Sequence, residues 1–257
     1  MTRVRAFASR VSAALVLACG GFAPAVAAAA HAPGASVAGV PVLMYHRIAP
    51  DTPGDAVGRS LTIDPKTFDA QLSWLDAHGI RTLTMDDLVA QLRRGEHPRR
   101  AVVLTFDDGY VDAATYATPL LRKHHARASF YVSAGFVGLE RHAGWRQLRA
   151  MRAAGMEIGC HGTRHLDLAT LDRAGLEAEI GHCAQTLARY LARPTTYAYA
   201  AGKWGPEAIA VLREHRFDAA LTERPGLVRD LGEPFALPRR RVDRDDGIGA
   251  FAGIATP

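Results

Sequence analysis

The chain has 257 residues, 48% of them hydrophobic and 22% charged, which allows one sizeable core and excludes two large domains. Its formal net charge of +5 is concentrated at the start, where residues 1–30 carry Arg3, Arg5 and Arg10 and no acid. Removing those three leaves a balance of about +2, which gives no ground for a nucleic-acid partner.

Residues 1–30 read as a secretory signal: a basic start, an apolar segment over 11–18, then small residues with cleavage positions at Ala25-Val26-Ala27 or Ala28-Ala29-Ala30. The segment is too short and too rich in small residues to span a membrane, and no other stretch is long and apolar enough. Leu17, two positions before Cys19, fits a lipid-attachment site poorly. Simple cleavage and a periplasmic or secreted mature protein are therefore expected, rather than a lipoprotein anchored at Cys19. Cleavage leaves Cys160 and Cys183. An exported chain could pair them, yet two buried thiols is the favoured expectation, because sequence alone does not place their Cα atoms within bonding reach.

Residues 31–39 read as a Pro- and Gly-containing linker and 40–257 as the functional domain. A first strand over 40–45 ends at His46, followed by a Pro/Gly/Asp-rich loop over 49–60. Asp64-Pro65 opens a helix with a capping acid and a proline at its first position. Phe68, Leu72 and Leu75 mark the buried face of that helix, and Gly79 stops it. A strand over 81–83 and a helix over 85–94 follow. The alternation then continues: strand 101–106, helix 112–124, strand 128–132, helix 145–154, strand 156–159, helix 171–191, strand 195–199, a helix from Gly205-Pro206, and strand 217–221. Repeated strand–helix units imply a parallel sheet with right-handed crossovers, and about seven of them favour an α/β barrel over an open sheet. In such a barrel the loops after the strands meet at one mouth. His46, Asp107, Asp108, His161 and Gly202 all lie just after strands.

Two stretches carry chemistry. Thr105-Phe106-Asp107-Asp108-Gly109 closes an apolar strand with adjacent carboxylates, and His161-Gly162-Thr163-Arg164-His165 closes another with two imidazoles. Two imidazoles and one carboxylate are a full protein ligand set for a catalytic divalent ion, which leaves the second carboxylate free as a base. Taken separately, Asp-Asp-Gly is also ordinary turn chemistry. No Glu follows His161, so the zinc-peptidase pattern is absent. His124-His125 reads as a surface pair, not a second metal site.

The aspartate motif, the His-x-x-x-His motif some fifty residues later, and Pro41-Val42-Leu43-Met44-Tyr45-His46 together resemble the polysaccharide deacetylase family, that is the NodB-homology fold of carbohydrate esterase family four. The resemblance covers roughly residues 40–245. It implies a distorted (β/α)₇ barrel in a single domain that removes acetyl groups from sugars. By position, Asp107 would be the general base for metal-held water, and Asp108, His161 and His165 the metal ligands. The metal would be Zn²⁺ for preference, with Co²⁺ or Ni²⁺ suited to the same donors. His46 would be the general acid, as in the branch that carries an early Tyr-His motif. Arg239 would orient the base, although Arg239-Arg240-Arg241 also reads as a plain charged face. Ala201 would lend its N–H to the developing oxyanion, with Gly202 and Trp204 lining the sugar groove.

This sequence departs from the family pattern in three places. Gly162 stands where Ser or Thr is common, Cys160 where Ser is usual, and Ala200-Ala201-Gly202 where relatives often read Pro-Tyr-Gly. The absence of a Leu-x-His near the end leaves the acid role to His46. The expected substrate is an exopolysaccharide or cell-wall polymer containing N-acetylglucosamine, with the β-1,6-linked polymer foremost. An O-acetyl (xylan-type) esterase shares every catalytic residue, and a catalytically silent carbohydrate-binding relative is the alternative outside enzymes.

Overall fold

The structure is a computed structural model that describes residues 1–2, 38–50, 54 and 56–257. The secretory segment, Cys19 and most of the 31–39 linker lie outside the described residues. Among the described residues no helix is long and apolar enough to cross a membrane.

Strands and helices alternate from Val42 onward. In chain order they are β1 (Val42–Tyr45), β2 (Arg47–Ile48), α1 (Ala56–Leu61), β3 (Thr62–Ile63), α2 (Pro65–Ala77), β4 (Arg81–Leu83), α3 (Met85–Arg93) and β5 (Ala101–Phe106), then α4 (Thr118–Lys123), β6 (Ser129–Val132), α5 (Trp145–Ala153) and β7 (Glu157–Cys160). They continue with α6 (Arg173–Leu176), α7 (His182–Tyr190), β8 (Thr196–Ala198), α8 (Pro206–Glu214), β9 (Ala219–Leu221), β10 (Arg240–Arg241) and α9 (Ile248–Ala255). The main sheet runs β10-β1-β5-β6-β7-β8-β9 with parallel pairings, and β4 lies against the first half of β5. The segment after Leu237 joins its two ends. Leu237 bridges Leu221 of β9, and three residues later Arg240 pairs with Leu43 of β1. Seven strands thus make the barrel that the strand–helix alternation favours, in the distorted (β/α)₇ form that the resemblance implies.

Local chemistry accounts for the helix starts. The Asp64 side chain accepts from the Lys66 N–H with Pro65 at the first helical position, and Thr84 and Asp87 form a reciprocal capping box on α3. Phe68, Leu72 and Leu75 of α2 are buried together. Two helices expected to be continuous contain π-helical segments, Ala113–Ala117 before α4 and Glu177–Gly181 between α6 and α7. The loop expected over 49–60 includes α1, and β10 and α9 had no counterpart in the sequence reading.

The two-residue strand period divides each strand between two cores. On β5, Val102, Leu104 and Phe106 face the helices, while Ala101 and Val103 face the barrel interior. Phe106 stacks between Tyr45 and Phe130, with centroids 5.1 and 4.7 Å away. Thr105 and Asp107 continue the interior face, so the alternation that builds the core also delivers a carboxylate into the barrel. On β7, Ile158 and Cys160 face the helices. Gly159, on the opposite face, leaves room for the Tyr131 ring, which a Cβ there would approach to 2.5 Å.

Cys160 therefore points at α7, where it is bonded to Cys183 across a Cα–Cα distance of 6.1 Å. This corrects the expectation of two free thiols. Strand parity turns Cys160 away from its neighbour His161 and toward the helix layer.

Candidate active site

Asp107 and Asp108 leave the end of β5 in opposite senses. Asp107 is buried, and its N–H donates to the Tyr45 carbonyl. Asp108 adopts a left-handed backbone (φ 72°), which turns its carboxylate toward the loop after β7. His165 and Ala201 are also left-handed, at φ 60° and 50°. Such strained residues concentrate where a site needs side chains at unusual angles.

The loop after β7 brings His161 and His165 to Asp108. Asp108 Oδ1 lies 3.4 Å from His161 Nε2 and 3.3 Å from His165 Nε2. Ligand atoms of these three side chains lie within 4.8 Å of one another, close enough that they could hold one metal ion. The His161 Nδ1 is 2.8 Å from the Ala198 carbonyl, which fixes the ring and aims Nε2 into the site. Despite the short distances, Asp108 Oδ1 has no hydrogen-bond donor of proper geometry and is buried. An orphaned carboxylate oxygen beside two converging imidazoles fits a divalent cation.

The charges favour the same occupant. Burial pushes the Asp108 carboxyl up, but the imidazoles of His161, His165 and His46 outweigh it and hold Asp108 well below the usual carboxylate range. Burial lowers the His161 pKa, while Asp107 and Asp108 raise it, and the net direction is up. The two carboxylates that raise it make a field that favours positive charge at this point.

Arg239 turns inward and grips Asp107 with two parallel bonds, Nη1 to Oδ1 at 2.8 Å and Nη2 to Oδ2 at 2.7 Å. Its Nε donates to the Thr222 carbonyl at 3.0 Å and its Nη1 also reaches Thr105 Oγ1 at 3.2 Å. Arg240 and Arg241 do not share this role. Arg240 donates to carbonyls of the C-terminal helix and Arg241 pairs with Asp243. Burial alone would raise the Asp107 pKa, but the Arg239 guanidinium, followed by His161 and His46, brings it below its ordinary value.

His46 follows β1 on the same parity as Val42 and Met44. Burial lowers its pKa, Asp107 and Asp108 raise it, and Arg239 and His161 lower it again, for a net decrease. It therefore shares the field of both aspartates. Ala201 and Gly202 sit in the tight turn after β8 (Ala200–Gly202), with Ala201 exposed. Trp204 is half-buried, stacked on Tyr199 at 5.8 Å and overlain by Arg224 at 5.2 Å.

Two residues near the site were not singled out in the sequence. Tyr110 is held above its ordinary pKa by burial and by the Asp108 charge, so it borders the ligand cluster. Its position directly after Asp-Asp-Gly was the only available signal. Glu179 lies under the histidine loop, and as an acid in a helix it reads as solvated. His124 is not a free surface side chain: it bridges Asp76 at 2.6 Å and Asp69 at 2.8 Å.

A profile for the family described as polysaccharide deacetylase matches residues 94–220. The YxkH protein of Bacillus subtilis (strain 168), whose name places it among polysaccharide deacetylases, is 30% identical over 215 residues, 82% of this chain and 74% of that protein. A poly-β-1,6-N-acetyl-D-glucosamine N-deacetylase of Staphylococcus epidermidis is 28% identical over 107 residues, 37% of this chain and 36% of that protein. Among solved structures, Streptococcus pyogenes deacetylase PplD in complex with acetate superimposes with TM-score 0.81 at 24% identity, over 86% of this chain and 100% of that one. IcaB from Ammonifex degensii gives TM-score 0.75 at 26% identity, over 85% and 97%.

Proposed function

The chain belongs to the polysaccharide deacetylase family, and from that premise we propose that it is a metal-dependent hydrolase that removes N-acetyl groups from N-acetylglucosamine units of an exopolysaccharide or cell-wall polymer. The foremost candidate polymer is poly-β-1,6-N-acetylglucosamine, the substrate in the name of the staphylococcal relative. The observation that carries this reading is the convergence of Asp108, His161 and His165 around an unpartnered carboxylate oxygen, beside the Arg239-bound Asp107.

Asp108, His161 and His165 would hold a divalent ion, with Zn²⁺ preferred and Co²⁺ or Ni²⁺ compatible. When bound, such an ion polarises a carbonyl and eases the ionisation of water near neutral pH. The remaining chemistry falls to the chain. Asp107 is the general base: it is ionised, and Arg239 fixes both its oxygens so that the carboxylate does not rotate as it takes a proton from the attacking water. Water adds to the acetyl carbonyl carbon, the carbon–nitrogen bond breaks, and acetate leaves. The leaving nitrogen takes a proton, for which His46 is the proposed donor. The Ala201 N–H is the proposed donor to the developing oxyanion, with Gly202 and Trp204 forming the adjacent groove wall.

Export is part of the proposal. The Cys160–Cys183 disulfide is a feature of oxidising compartments and agrees with the secretory reading of residues 1–30. The test is acetate release from β-1,6- and β-1,4-linked N-acetylglucosamine oligomers, with Zn²⁺ or Co²⁺ present, against chelated protein and Asp107→Asn. Metal-dependent release that Asp107→Asn abolishes supports the reading, and the preferred oligomer names the linkage. No release from metal-loaded protein rejects N-acetylglucosamine as the substrate and directs the search to O-acetylated xylan.

A further inference from the structure

We propose that Glu179 is a positioning residue for the metal ligands, setting the affinity of the Asp108–His161–His165 site through the backbone of the histidine loop. The proposal rests on the metal-centre reading above and assigns a role to a side chain outside the ligand set. Glu179 is fully buried in the π-helical segment Glu177–Gly181. Its Oε2 accepts two consecutive loop amides, Thr163 N at 3.0 Å and Arg164 N at 2.9 Å. Its Oε1 accepts from Arg164 Nε at 2.9 Å. The Thr163 hydroxyl donates in turn to the Glu179 carbonyl at 3.1 Å.

These bonds complete the anchoring of the loop. Its carbonyls are held from the other side by the turn after β6: Ser133 Oγ donates to His161 O, Ala134 N to Gly162 O, and Gly135 N to Thr163 O. Glu179 thus holds amides between the two metal histidines while the β6 turn holds the carbonyls. A buried carboxylate receiving two N–H bonds is a strong, directional clamp. Gly162 is shaped to this clamp. It is left-handed at φ 81°, and a Cβ there would lie 2.7 Å from Glu179 Oε2. A loop with a side chain at 162 does not close onto this carboxylate without moving it.

The same helical run carries Cys183, four residues after Glu179 and therefore on the same face. The disulfide there ties the end of β7, one residue before His161, to α7. The π-helical segment passes directly into α7. Widened turns of this kind recur where a helix must aim a side chain at a functional site.

The experiment is a Zn²⁺ titration of the full mature chain against a competing chromophoric chelator, with melting of the metal-free proteins recorded alongside. Glu179→Ala strips both amides of their acceptor and is expected to weaken Zn²⁺ binding at least about tenfold. Glu179→Gln keeps one oxygen able to meet both amides and is expected to restore most of that affinity. Leu187→Ala, a buried apolar change on the same helical run, lowers the melting temperature but is expected to leave Zn²⁺ affinity within about threefold of the parent. If Glu179→Ala does not fold, Gly162→Ala crowds the same carboxylate from the loop side and is expected to give the same loss. Parent-like affinity in Glu179→Ala, or an equal loss in Leu187→Ala, overturns the proposal. A parent protein that binds no Zn²⁺ instead overturns the metal reading on which it rests.

Discussion

The Arg239 guanidinium and the Asp107 carboxylate form a two-bond pair at 2.8 and 2.7 Å, both side chains buried in the barrel mouth. Neither charge has bulk water to fall back on, so each depends on the other. Arg239→Ala leaves Asp107 charged and unpaired and is expected to cost about 3–5 kcal/mol of stability. Arg239→Lys offers a point charge where a planar fork is needed, and is expected to lower kcat more than it lowers the melting temperature. A double change, Arg239→Met with Asp107→Asn, removes both charges and is expected to recover most of the stability but none of the turnover. Thermal melts and acetate-release kinetics on the three proteins check this.

The base and the ligands separate experimentally. Zn²⁺ at about a hundred times its Kd is expected to stabilise the parent by about 2.7 kcal/mol through mass action. Asp107→Asn is expected to keep that gain and lose activity by a factor on the order of 10²–10⁴. Asp108→Asn and His161→Ala are expected to lose the Zn²⁺-dependent gain, because they remove ligand atoms. Melting with and without chelator distinguishes the two classes.

Glu157 gives a pH prediction remote from the metal. Burial and then the Asp86 charge push its pKa up to about 7, against the hydroxyls of Ser129 and Thr196 and the Asp86 N–H, which lower it. Because the folded value exceeds the unfolded one, the stabilising contribution is complete below about pH 4.5 and is lost as pH rises through about 7. Glu157→Gln imitates the protonated form. Its stability relative to the parent is expected to rise between pH 5 and 8, by on the order of 3 kcal/mol at most. Denaturant titrations at those two pH values measure it.

The Cys160–Cys183 disulfide closes a loop with a sequence separation of 23. Loop closure of that length restricts the unfolded chain by about 3 kcal/mol. The double change to alanine is expected to lower the melting temperature accordingly, and reductant is expected to lower that of the parent but not of the double variant. A parent melt indifferent to reductant would count against a formed bond.

Much of the architecture is written in local pattern. Asp64-Pro65, the Phe68-Leu72-Leu75 stripe and the apolar run before Asp107 each specify their element through short-range chemistry, and the structure has those elements within a few residues of the predicted bounds. Strand endings put His46, Asp107, Asp108, His161 and Gly202 just after strands, where parallel strands share a C-terminal face. Those features the amino-acid sequence determined by itself. Tertiary structure decided matters of facing and long-range partnership. Arg239, Arg240 and Arg241 are identical in type and adjacent, and only the path between β9 and β1 turns the first toward Asp107. Cys160 and Cys183 pair because strand parity and the helix layer bring them together, which no local rule reports. Glu179 looks like any helical acid until the loop it holds is folded over it. Local propensity acts over a few residues of chain, whereas a buried ion pair, a disulfide and a loop clamp depend on distances between residues far apart in sequence.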